Sequence, residues 1–572
     1  MPRVTIAAVQ FTSGNNTDAN LARMLELIDT AAAAGADLVV FQEFCNHPAL
    51  YASPDHVWQS AVSEDGPFVG ALKAKARERG VYISFNATIR GPWPRVVDQN
   101  ILLSSAGEVA LTSQKQILMG SERDYFEPGT LETQVVDTEL GRIGLMSCME
   151  GLIPETPRVL AVKGADIILN SLSSNGIDEA HTHIPVRAAE NGVYIVSANR
   201  SGPLVDPGDL DALTAKNGID KSKLIGGGES QIVGPDGVSL VRAKPFEDDM
   251  VIASIDVTAA RPDGLLAGRR PECYGVLTAD DAALAPLLKG RVTQAGEVVV
   301  ATAGIASGLS GADALQAALE FCETTDADLV VLPELFAWDP AALRESRPDA
   351  AVAFAEQVVG ELSALARTRG CHIVAGVPGH GDTARLGNCA VLIGPGQEPT
   401  WYRQVHVRAD DRGWADPGDG FVVADLPFGR VGLLVGHDLA FPESARVLTL
   451  MGADLIACPT SWRHAWESRL VAPERAAENH VAVVAAARAD SACAEPSTIL
   501  SVPVDYRFPV TGEVNMPERR DAPGMGAGVV ATIDLRASRD KLLMRRTDLL
   551  ADRQPGLYGA LVAAAPAETG TK

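Results

Sequence analysis

Three residues at predicted strand ends or in adjoining loops form a set that could perform covalent acyl transfer: Glu43, Lys115 and Cys148. A free thiol has a pKa of about 8.5 and is mostly protonated at neutral pH, so a nucleophilic cysteine needs a base or a cation beside it. A carboxylate can take the thiol proton, and an ammonium group can stabilise the thiolate and the oxyanion formed by attack on a carbonyl. The set therefore supplies a nucleophile, a base and an electrostatic stabiliser, and it requires neither a metal nor a cofactor.

Each of these residues also has an ordinary structural interpretation when it is taken alone. Cys148 would be a buried structural thiol, Glu43 would cap or pair a helix end, and Lys115 would lie on the surface. Their joint setting favours the chemical interpretation, because functional side chains concentrate in loops that a rigid scaffold positions.

The chain around the set alternates between short apolar runs and helical patterns. VTIAAVQF (4–11), ADLVVFQEF (36–44) and the run that leads into Cys148 predict strands, whereas residues 20–36 have helical apolar spacing. The same order continues as far as VYIVSANRS (193–201). This alternation predicts an α/β fold in which helices cover short apolar strands.

Two stretches of the sequence recur later in the chain in similar form. GRIGLMSCMEGLIPE (141–155) returns as GRVGLLVGHDLAFPE (429–443), and RRPECYGVL (269–277) resembles DRQPGLYGAL (552–561). A repeat on this scale indicates two homologous halves, which agrees with a length of 572 residues.

We predict three segments from this repeat. They are a first domain over 1–279, a linker over 280–295 and a second domain over 296–572, with a disordered tail after about residue 565.

The second half keeps only part of the chemical set. Glu334 retains the carboxylate, but Gln404 replaces the lysine and Gly436 replaces the cysteine. Covalent thiol catalysis is therefore excluded there. A water-activating pair of His437 and Asp438 is one interpretation of the second site, and a scaffold, a regulatory ligand pocket and a partner domain are the others.

Composition narrows the function classes. The net charge of −24 disfavours nonspecific binding to nucleic acid or to anionic membranes. No apolar run of about 18 residues and no signal-peptide pattern is present. Eight scattered cysteines without a C-x-x-C pair disfavour a zinc site and a disulfide framework. We expect a cytoplasmic protein without a nucleic-acid or membrane partner.

The first half resembles the nitrilase superfamily of carbon–nitrogen hydrolases. The Glu43 strand, the Lys115 loop SQKQILMGSERDYFEPG and the Cys148 segment follow one another in the family's order, and the resemblance covers nearly all of residues 1–277. It implies two tandem αββα sandwich domains, of which the second is degenerate. It also implies a Glu-Lys-Cys triad without metal or cofactor.

The resemblance further implies a second acidic residue, and SERDYFEPG places Glu122 there. Otherwise Glu122 would be a surface charge paired with Arg123. In the implied mechanism Glu43 takes the thiol proton, Cys148 attacks the carbonyl carbon and Lys115 holds the oxyanion. Superfamily members usually pair two domains across a helical surface, which implies an intramolecular pseudo-dimer and allows a further homo-oligomer.

Substrate-binding residues are less well indicated. Some relatives that hydrolyse N-carbamoyl amino acids place an arginine just after the nucleophile, but this chain has Met149 there. Met149 is a pocket or core residue, and Ser173 and Ser174 are further pocket candidates. Arg187 and Glu190 have the spacing of an ion pair on one helix.

We therefore predict a thiol amidohydrolase that acts on a small linear carboxamide or ureido compound. A nitrilase that uses the same triad is the alternative within enzymes, and an ammonia-supplying glutaminase subunit is less favoured because no fused synthetase domain is present. A non-catalytic ligand-binding or scaffold protein is the alternative from another class.

Overall fold

The computed structural model describes residues 3–176, 178–206, 208–217, 220–260, 264–289, 295–345, 348–503, 516–544 and 546–564. These residues form two compact units. Unit 1 contains residues up to Ala267 and the later segment Leu542–Leu561, and unit 2 contains residues 268–503, 516–541 and 562–564.

The compact units are not divided where the sequence repeats meet. The predicted domain boundaries at 279 and 296 follow the repeats and remain a prediction about them, whereas unit 1 is interrupted after Ala267. Part of the predicted linker (290–294) and the predicted tail after residue 565 lie outside the described residues.

Unit 1 contains two six-stranded sheets. The first has the order β14-β1-β2-β3-β4-β5, with β1, β2 and β3 parallel. Its strands are β1 (Val4–Gln10), β2 (Leu38–Val40), β3 (Tyr82–Arg90), β4 (Val96–Leu103), β5 (Val109–Gln114) and β14 (Asp249–Ile255).

The second sheet has the order β13-β12-β9-β8-β7-β6, with β7, β8 and β9 parallel. Its strands are β6 (Val135–Thr138), β7 (Gly141–Ser147), β8 (Ile167–Ser171), β9 (Tyr194–Ala198), β12 (Gln231–Val233) and β13 (Ser239–Arg242). A two-stranded ribbon pairs β10 (Ser201–Pro203) with β11 (Ile225–Gly227).

The helices of unit 1 are α1 (Thr17–Ala33), α2 (Pro54–Ser60), α3 (Pro67–Arg79), α4 (Met149–Leu152), α5 (Glu155–Val162), α6 (Ile184–Asn191) and α7 (Leu210–Asn217). A π-helical turn, Glu179–His183, leads into α6, and a 3-10 turn spans Gly120–Asp124.

Buried clusters show how these elements are layered. Ile6 of β1 and Leu145 of β7 belong to one apolar cluster, so the two sheets pack face to face. Met24 of α1 packs on the outer face of the first sheet, and Leu160 of α5 packs on the outer face of the second. The layers are therefore helix, sheet, sheet and helix, which confirms the predicted αββα sandwich.

Local signals explain two boundaries that differ from the sequence prediction. α1 begins at Thr17 rather than at residue 20, because the Asn16 side chain accepts a hydrogen bond from the Ala19 amide and caps the helix. β2 ends at Val40, so Glu43 stands three residues beyond the strand rather than within the strand predicted over 36–44. At this position the direction of the Glu43 side chain is not set by the alternation of side chains along a strand.

Unit 2 repeats the architecture. Its first sheet has the order β19-β18-β17-β16-β15-β26, with β15 (Glu297–Thr302), β16 (Leu329–Val331), β17 (His372–His380), β18 (Leu386–Ile393), β19 (Thr400–Arg403) and β26 (Val529–Asp534). Its second sheet runs from β20 to β25 in order, with β20 (Val422–Leu426), β21 (Gly429–Leu433), β22 (Leu455–Thr460), β23 (Ala482–Ala487), β24 (Thr498–Ser501) and β25 (Glu518–Asp521).

The helices of the second half are α8 (Asp281–Leu284), α9 (Gly311–Thr324), α10 (Pro340–Glu345), α11 (Pro348–Arg369), α12 (Pro442–Leu450), α13 (Ala472–Asn479) and α14 (Gly559–Val562), and a short ribbon pairs β27 (Leu542–Met544) with β28 (Thr547–Asp548). Glycine lets a helix approach the second sheet closely in both units. A Cβ at Gly144 would lie 2.8 Å from a methyl group of Leu160, and one at Gly432 would lie 2.9 Å from Leu448.

Candidate active site

The end of β8 holds the backbones of two predicted site residues. The Cys148 amide donates to the Ser171 carbonyl at 2.9 Å, and the Glu43 amide donates to the Leu172 carbonyl at 3.1 Å. Ser171 and Leu172 are consecutive, so the first and second sheets deliver the carboxylate and the thiol to the same place. The carboxyl end of β2 in the first sheet and that of β7 in the second sheet therefore lie close together there.

Cys148 stands at a strained turn between β7 and α4. Its backbone has φ of 39° and ψ of −107°, a conformation that residues with a side chain rarely adopt. Gly436, at the equivalent place in unit 2, has the same φ of 39°. The turn is thus a property of this strand-to-helix connection in both units, and only unit 1 places a side chain on it.

Lys115 lies between two carboxylates. Its Nζ is 2.8 Å from Glu43 Oε1 and 2.8 Å from Glu122 Oε1, and it is 3.7 Å from Asp98 Oδ2. The ammonium group is fully buried, as is almost all of Glu43. A buried ammonium needs such partners, because burial of an unpaired charge is strongly unfavourable.

Glu122 is held in turn by the loop that follows β5. Its Oε2 accepts a hydrogen bond from the Met119 amide at 2.8 Å, while its Oε1 accepts from Lys115. Arg123 pairs instead with Asp552 at 2.6 Å. The interpretation of Glu122 as a surface partner of Arg123 is therefore wrong.

Burial and mutual charge shift the pKa values of this cluster. Burial raises the pKa of Glu43 well above its usual range, although Lys115 opposes the shift, and burial also raises the pKa of Glu122. Burial alone would lower the pKa of Lys115, but Glu122 and Glu43 outweigh it and hold that pKa well above normal. Burial, followed by the charge of Glu43, raises the pKa of the Cys148 thiol. The resting thiol is therefore protonated at neutral pH.

The two carboxylate oxygens of Glu43 have different surroundings. Oε1 accepts the hydrogen bond from Lys115, whereas Oε2 is buried and has no hydrogen-bond partner among the described residues. A buried carboxylate oxygen without a hydrogen-bond donor is unfavourable for stability, and after burial the neighbouring Asp98 carboxylate further raises the pKa of Glu43.

Glu150, which the sequence analysis did not single out, connects the Cys148 and Lys115 segments. Its Oε2 accepts from the Ser147 amide and its Oε1 accepts from the Gln116 amide, both at 2.8 Å. It therefore fixes the residue before Cys148 relative to the residue after Lys115. Burial raises its pKa to about 7. Its position two residues after the cysteine was the only signal available in the sequence.

The predicted pocket residues differ in their surroundings. Met149 is fully buried on α4, and Ser173 is partly exposed just beyond β8. Ser174 is buried in a loop network, in which its amide donates to Asn199 and its Oγ accepts from the Gly176 amide. None of these contacts assigns the three residues to a substrate, so their role remains a prediction.

Glu179 is a second residue that the sequence analysis missed. It begins the π-helical turn before α6, is 4% exposed, and its Oε2 has no hydrogen-bond partner within the described part of the chain. Burial raises its pKa to about 7, although a hydrogen bond from Ser174 opposes the shift. Its charge also acts on the Cys148 thiol. In the sequence, Glu179 is a single glutamate within a helical pattern, which indicates neither its burial nor its effect on Cys148.

The predicted ion pair on α6 is confirmed. Arg187 Nη1 lies 2.7 Å from Glu190 Oε1, and both side chains are fully buried. Arg187 also donates to the carbonyls of Gly151 and Leu152 at 3.1 and 3.0 Å. The pair therefore braces α4, the short helix that follows Cys148.

The equivalent place in unit 2 carries a different hydrogen-bond network. Asn388 donates to Glu334 Oε1 at 2.7 Å, and Gln404 donates to the Val435 carbonyl at 3.0 Å. Asp438 accepts from Tyr402 and from His406.

A pair of His437 and Asp438, one interpretation of the second site, does not form in this network. Nδ1 of His437 is buried and has no hydrogen-bond partner in the described residues, while the Asp438 carboxylate is engaged elsewhere. The interpretation of His437 and Asp438 as a water-activating pair is therefore not supported by the geometry.

Two further observations concern the chain as a whole. Among the described residues, no helix combines the length and the apolar character needed to cross a membrane. All eight cysteines are free thiols, of which six are buried and two are partly exposed.

Several known proteins are similar to this chain over about half of its length. A nitrilase from Pyrococcus abyssi is 35% identical over 269 residues, which are 45% of this chain and 93% of that protein. An N-carbamoylputrescine amidase from Solanum lycopersicum is 25% identical over 48% of this chain and 94% of its own length. An amidase from Nesterenkonia sp. of solved structure is 25% identical, with a TM-score of 0.39, over 47% of this chain and 94% of that protein. The nitrilase and the N-carbamoylputrescine amidase therefore each have about the length of one repeat.

The family comparison covers both repeats. The model of the carbon–nitrogen hydrolase family matches residues 5–263 and again residues 300–502. Two matches in sequence agree with the two αββα units and with the repeated motifs. The chain is a tandem member of the carbon–nitrogen hydrolase family, within the nitrilase superfamily, and is a carbon–nitrogen hydrolase.

Proposed function

We propose that the first repeat is a thiol amidohydrolase that cleaves the C–N bond of a small linear carboxamide or ureido compound through a thioester on Cys148. The observation that carries the proposal is the asymmetry of Glu43, whose Oε1 is held at 2.8 Å by Lys115 while Oε2 has no partner among the described residues. Such a carboxylate is fixed in place by one oxygen and can accept a proton on the other.

In the first step, Glu43 Oε2 takes the proton from the Cys148 thiol as the sulfur attacks the carbonyl carbon. The new C–S bond converts the carbonyl oxygen into an oxyanion. Lys115 stabilises that charge together with a backbone N–H at the start of α4, where the first amides of a helix have no intrahelical acceptor. The Cys148 amide cannot serve, because it already donates to Ser171.

In the second step, the tetrahedral intermediate collapses and the C–N bond breaks. Glu43 returns its proton to the leaving nitrogen, which departs as ammonia or an amine, and a thioester remains on Cys148. Glu43 then takes a proton from water, whose oxygen attacks the thioester, and the acid leaves as the thiol is restored. The raised pKa of Glu43 suits a group that accepts and returns a proton in each half of the cycle.

Glu122 has a supporting role in this proposal. It holds Lys115 at 2.8 Å in addition to Glu43, and its own position is fixed by the Met119 amide. The ammonium group is thereby kept charged and oriented before substrate arrives, as electrostatic stabilisation of an oxyanion requires.

The relatives support a small nitrogen compound as the substrate. One relative is a nitrilase and another is an N-carbamoylputrescine amidase. The absence of an arginine directly after Cys148 favours a substrate without a carboxylate at that point, since Met149 is apolar and fully buried. Met149, Ser173 and Ser174 remain the proposed pocket residues.

The experiment is a panel of linear amides, ureido compounds and matched nitriles, with ammonia release as the readout. The panel compares the unmodified chain with Cys148→Ala, Lys115→Gln and Glu334→Gln. Lys115→Gln installs the residue that the second repeat carries at position 404, and Glu334→Gln is the matched control for carboxylate chemistry in unit 2. We expect Cys148→Ala and Lys115→Gln to lose turnover. Glu334→Gln should keep it. Mass spectrometry should detect an acyl group on Cys148.

The panel also separates the alternatives. Turnover that persists in Cys148→Ala would overturn the mechanism. Activity on nitriles that exceeds activity on the matched amides would establish the nitrilase alternative. No turnover on any compound, together with a Cys148 thiol that does not react with iodoacetamide, would establish the non-catalytic alternative.

We also propose that the second repeat serves the first as an intramolecular partner and that the chain acts in the cytoplasm. The free state of all eight cysteines fits a reducing compartment. Cell fractionation tests the location. A soluble, fully active and normally stable fragment of residues 1–280 would contradict the partner role.

A further inference from the structure

The C-terminal part of the second repeat belongs to unit 1. We call residues 546–561 the returning segment, because it follows the second repeat in sequence but packs in the unit that contains Cys148. It lies against the lysine loop, residues 115–126, which carries Lys115 and Glu122.

One contact holds the turn that carries Glu122. The Gly120 amide donates to Thr547 Oγ1 at 2.8 Å, and Thr547 is fully buried. Gly120 is the first residue of the 3-10 turn Gly120–Asp124, so its amide has no acceptor within that turn. Thr547 therefore supplies the missing acceptor two residues before Glu122.

A second contact holds the backbone beside Lys115. Gln554 Nε2 donates to the Gln116 carbonyl at 2.5 Å. Gln116 is the residue whose amide is bound by Glu150, so both polar backbone groups of this one residue are fixed. Next to Gln554, Arg553 pairs with Glu155 at 3.1 Å, and both side chains are almost fully buried. The pair Arg546–Asp124 is exposed and adds little.

Unit 2 contains the same arrangement built from the other repeat. Arg269, Arg270 and Tyr274 in RRPECYG correspond to Arg553, Gln554 and Tyr558 in RQPGLYG. Arg269 pairs with Glu443 at 2.7 Å, as Arg553 pairs with Glu155.

The backbone contact is repeated as well. Arg270 donates to the Val405 carbonyl at 3.4 Å, directly after Gln404, as Gln554 donates to the Gln116 carbonyl directly after Lys115. Each unit is thus completed by the closing segment of the other repeat, and in unit 1 that segment holds a loop with chemical groups on it.

We propose that Thr547 and Gln554 are positioning residues for Lys115 and Glu122, so that the second repeat contributes directly to the site of the first. This inference rests on the proposed function of that site. Its physical basis is that Lys115 must lie within hydrogen-bond distance of two carboxylates at once, and Thr547 and Gln554 add two restraints on the loop to the one that Glu150 supplies. A displacement of about 1 Å can cost a hundredfold in rate.

The test uses the full chain with four variants of the returning segment. Thr547→Val removes the acceptor and keeps the shape, whereas Thr547→Ser keeps the acceptor. Gln554→Ala removes the donor, whereas Gln554→Arg restores a donor of the kind that Arg270 provides in unit 2. Arg270→Ala is the matched control, because it removes the equivalent contact in the unit without a thiol nucleophile.

We expect Thr547→Val and Gln554→Ala to lower kcat about tenfold to a hundredfold with a smaller change in KM. Thr547→Ser and Gln554→Arg should restore most of kcat, and Arg270→Ala should leave it unchanged. The rate of Cys148 alkylation by iodoacetamide against pH should shift in the two disruptive variants, because Lys115 lowers the pKa of that thiol. Thermal melts check that each variant is folded. Titration of reactive Cys148 gives the concentration of sites by which turnover is divided.

The two proposals fail in different ways. An alkylation profile that shifts in a chain without turnover on any amide would retain the positioning role and overturn the proposed function. Turnover per folded site that is unchanged in Thr547→Val and Gln554→Ala, with an unshifted alkylation profile, would overturn the positioning role. A loss of kcat that Thr547→Ser and Gln554→Arg fail to restore would also overturn it.

Discussion

The carboxylate of Glu334 occupies the space that a side chain at residue 436 would need. A Cβ placed on Gly436 would lie 2.6 Å from Glu334 Oε2, closer than such atoms approach in proteins. Asn388 holds the other oxygen of Glu334 at 2.7 Å. A side chain at residue 436 would therefore require the Glu334 carboxylate to move.

We predict that Gly436→Cys does not create a second active site. The new side chain would displace Glu334, it would require the strained φ of 39°, and Gln404 would provide no ammonium group. In a Cys148→Ala background, ammonia release should stay at background, and the melting temperature should fall. Gly360→Ala in α11 is the control, since a Cβ there meets nothing within 4 Å. Turnover in the Cys148→Ala/Gly436→Cys chain would contradict the prediction.

We predict that Glu43→Gln separates thiol reactivity from hydrolysis. The Glu43 carboxylate raises the pKa of Cys148 and Lys115 lowers it, so removal of the carboxylate should lower that pKa. Alkylation by iodoacetamide should become faster at alkaline pH, while kcat for amides should fall about 10²- to 10⁴-fold because the group that we propose as the general base is lost. Glu334→Gln should change neither. Slower alkylation of Glu43→Gln above pH 9, relative to the unmodified chain, would contradict this account.

We predict that Glu179→Gln changes how stability depends on pH. Burial raises the pKa of Glu179 from 4.5 to about 7, so the folded state binds its proton more tightly than the unfolded state does. Its contribution to the free energy of unfolding is therefore full below about pH 4.5 and is lost as the pH rises towards 7, by about 3 kcal/mol in all.

Glutamine has nearly the same shape as glutamate, but its side chain does not bind or release a proton in this pH range. The Glu179→Gln chain should match the unmodified chain near pH 4.5 and should be more stable at pH 8. Urea unfolding midpoints at a series of pH values measure the difference, with the exposed Glu398→Gln as the control. Parallel curves for Glu179→Gln and the unmodified chain would show that Glu179 does not titrate in this window.

We predict that Arg187→Met destabilises unit 1 by about 3 to 5 kcal/mol, because it removes the buried ion pair between Arg187 and Glu190. It should also lower kcat, since Arg187 holds two carbonyls of the helix that follows Cys148. Arg475→Met is the matched control in unit 2, where Arg475 pairs with Glu478 at 2.5 Å in equally buried surroundings. That variant should lose comparable stability. Equal loss of kcat per folded site in both variants would argue against a specific effect on α4.

The repeated strand and helix patterns predicted the α/β layers, because apolar periodicity within a few residues reports which faces are buried. The same patterns located Glu43, Lys115 and Cys148 near strand ends, and Glu122 followed from the resemblance. Comparison of the two halves also showed that Gln404 and Gly436 lack the required chemistry. These inferences depend on residue type and on local order, both of which are properties of the chain alone.

Tertiary structure decided what depends on contacts between distant residues. Glu150 bonds beside both Cys148 and Lys115, and Glu179 is left with an unpartnered oxygen, because of where separate loops meet. The same holds for Leu542–Leu561, a whole segment of the second repeat that belongs to unit 1. A motif shows that two segments are alike, but the position of each segment depends on which surface buries it, and no local pattern contains that information.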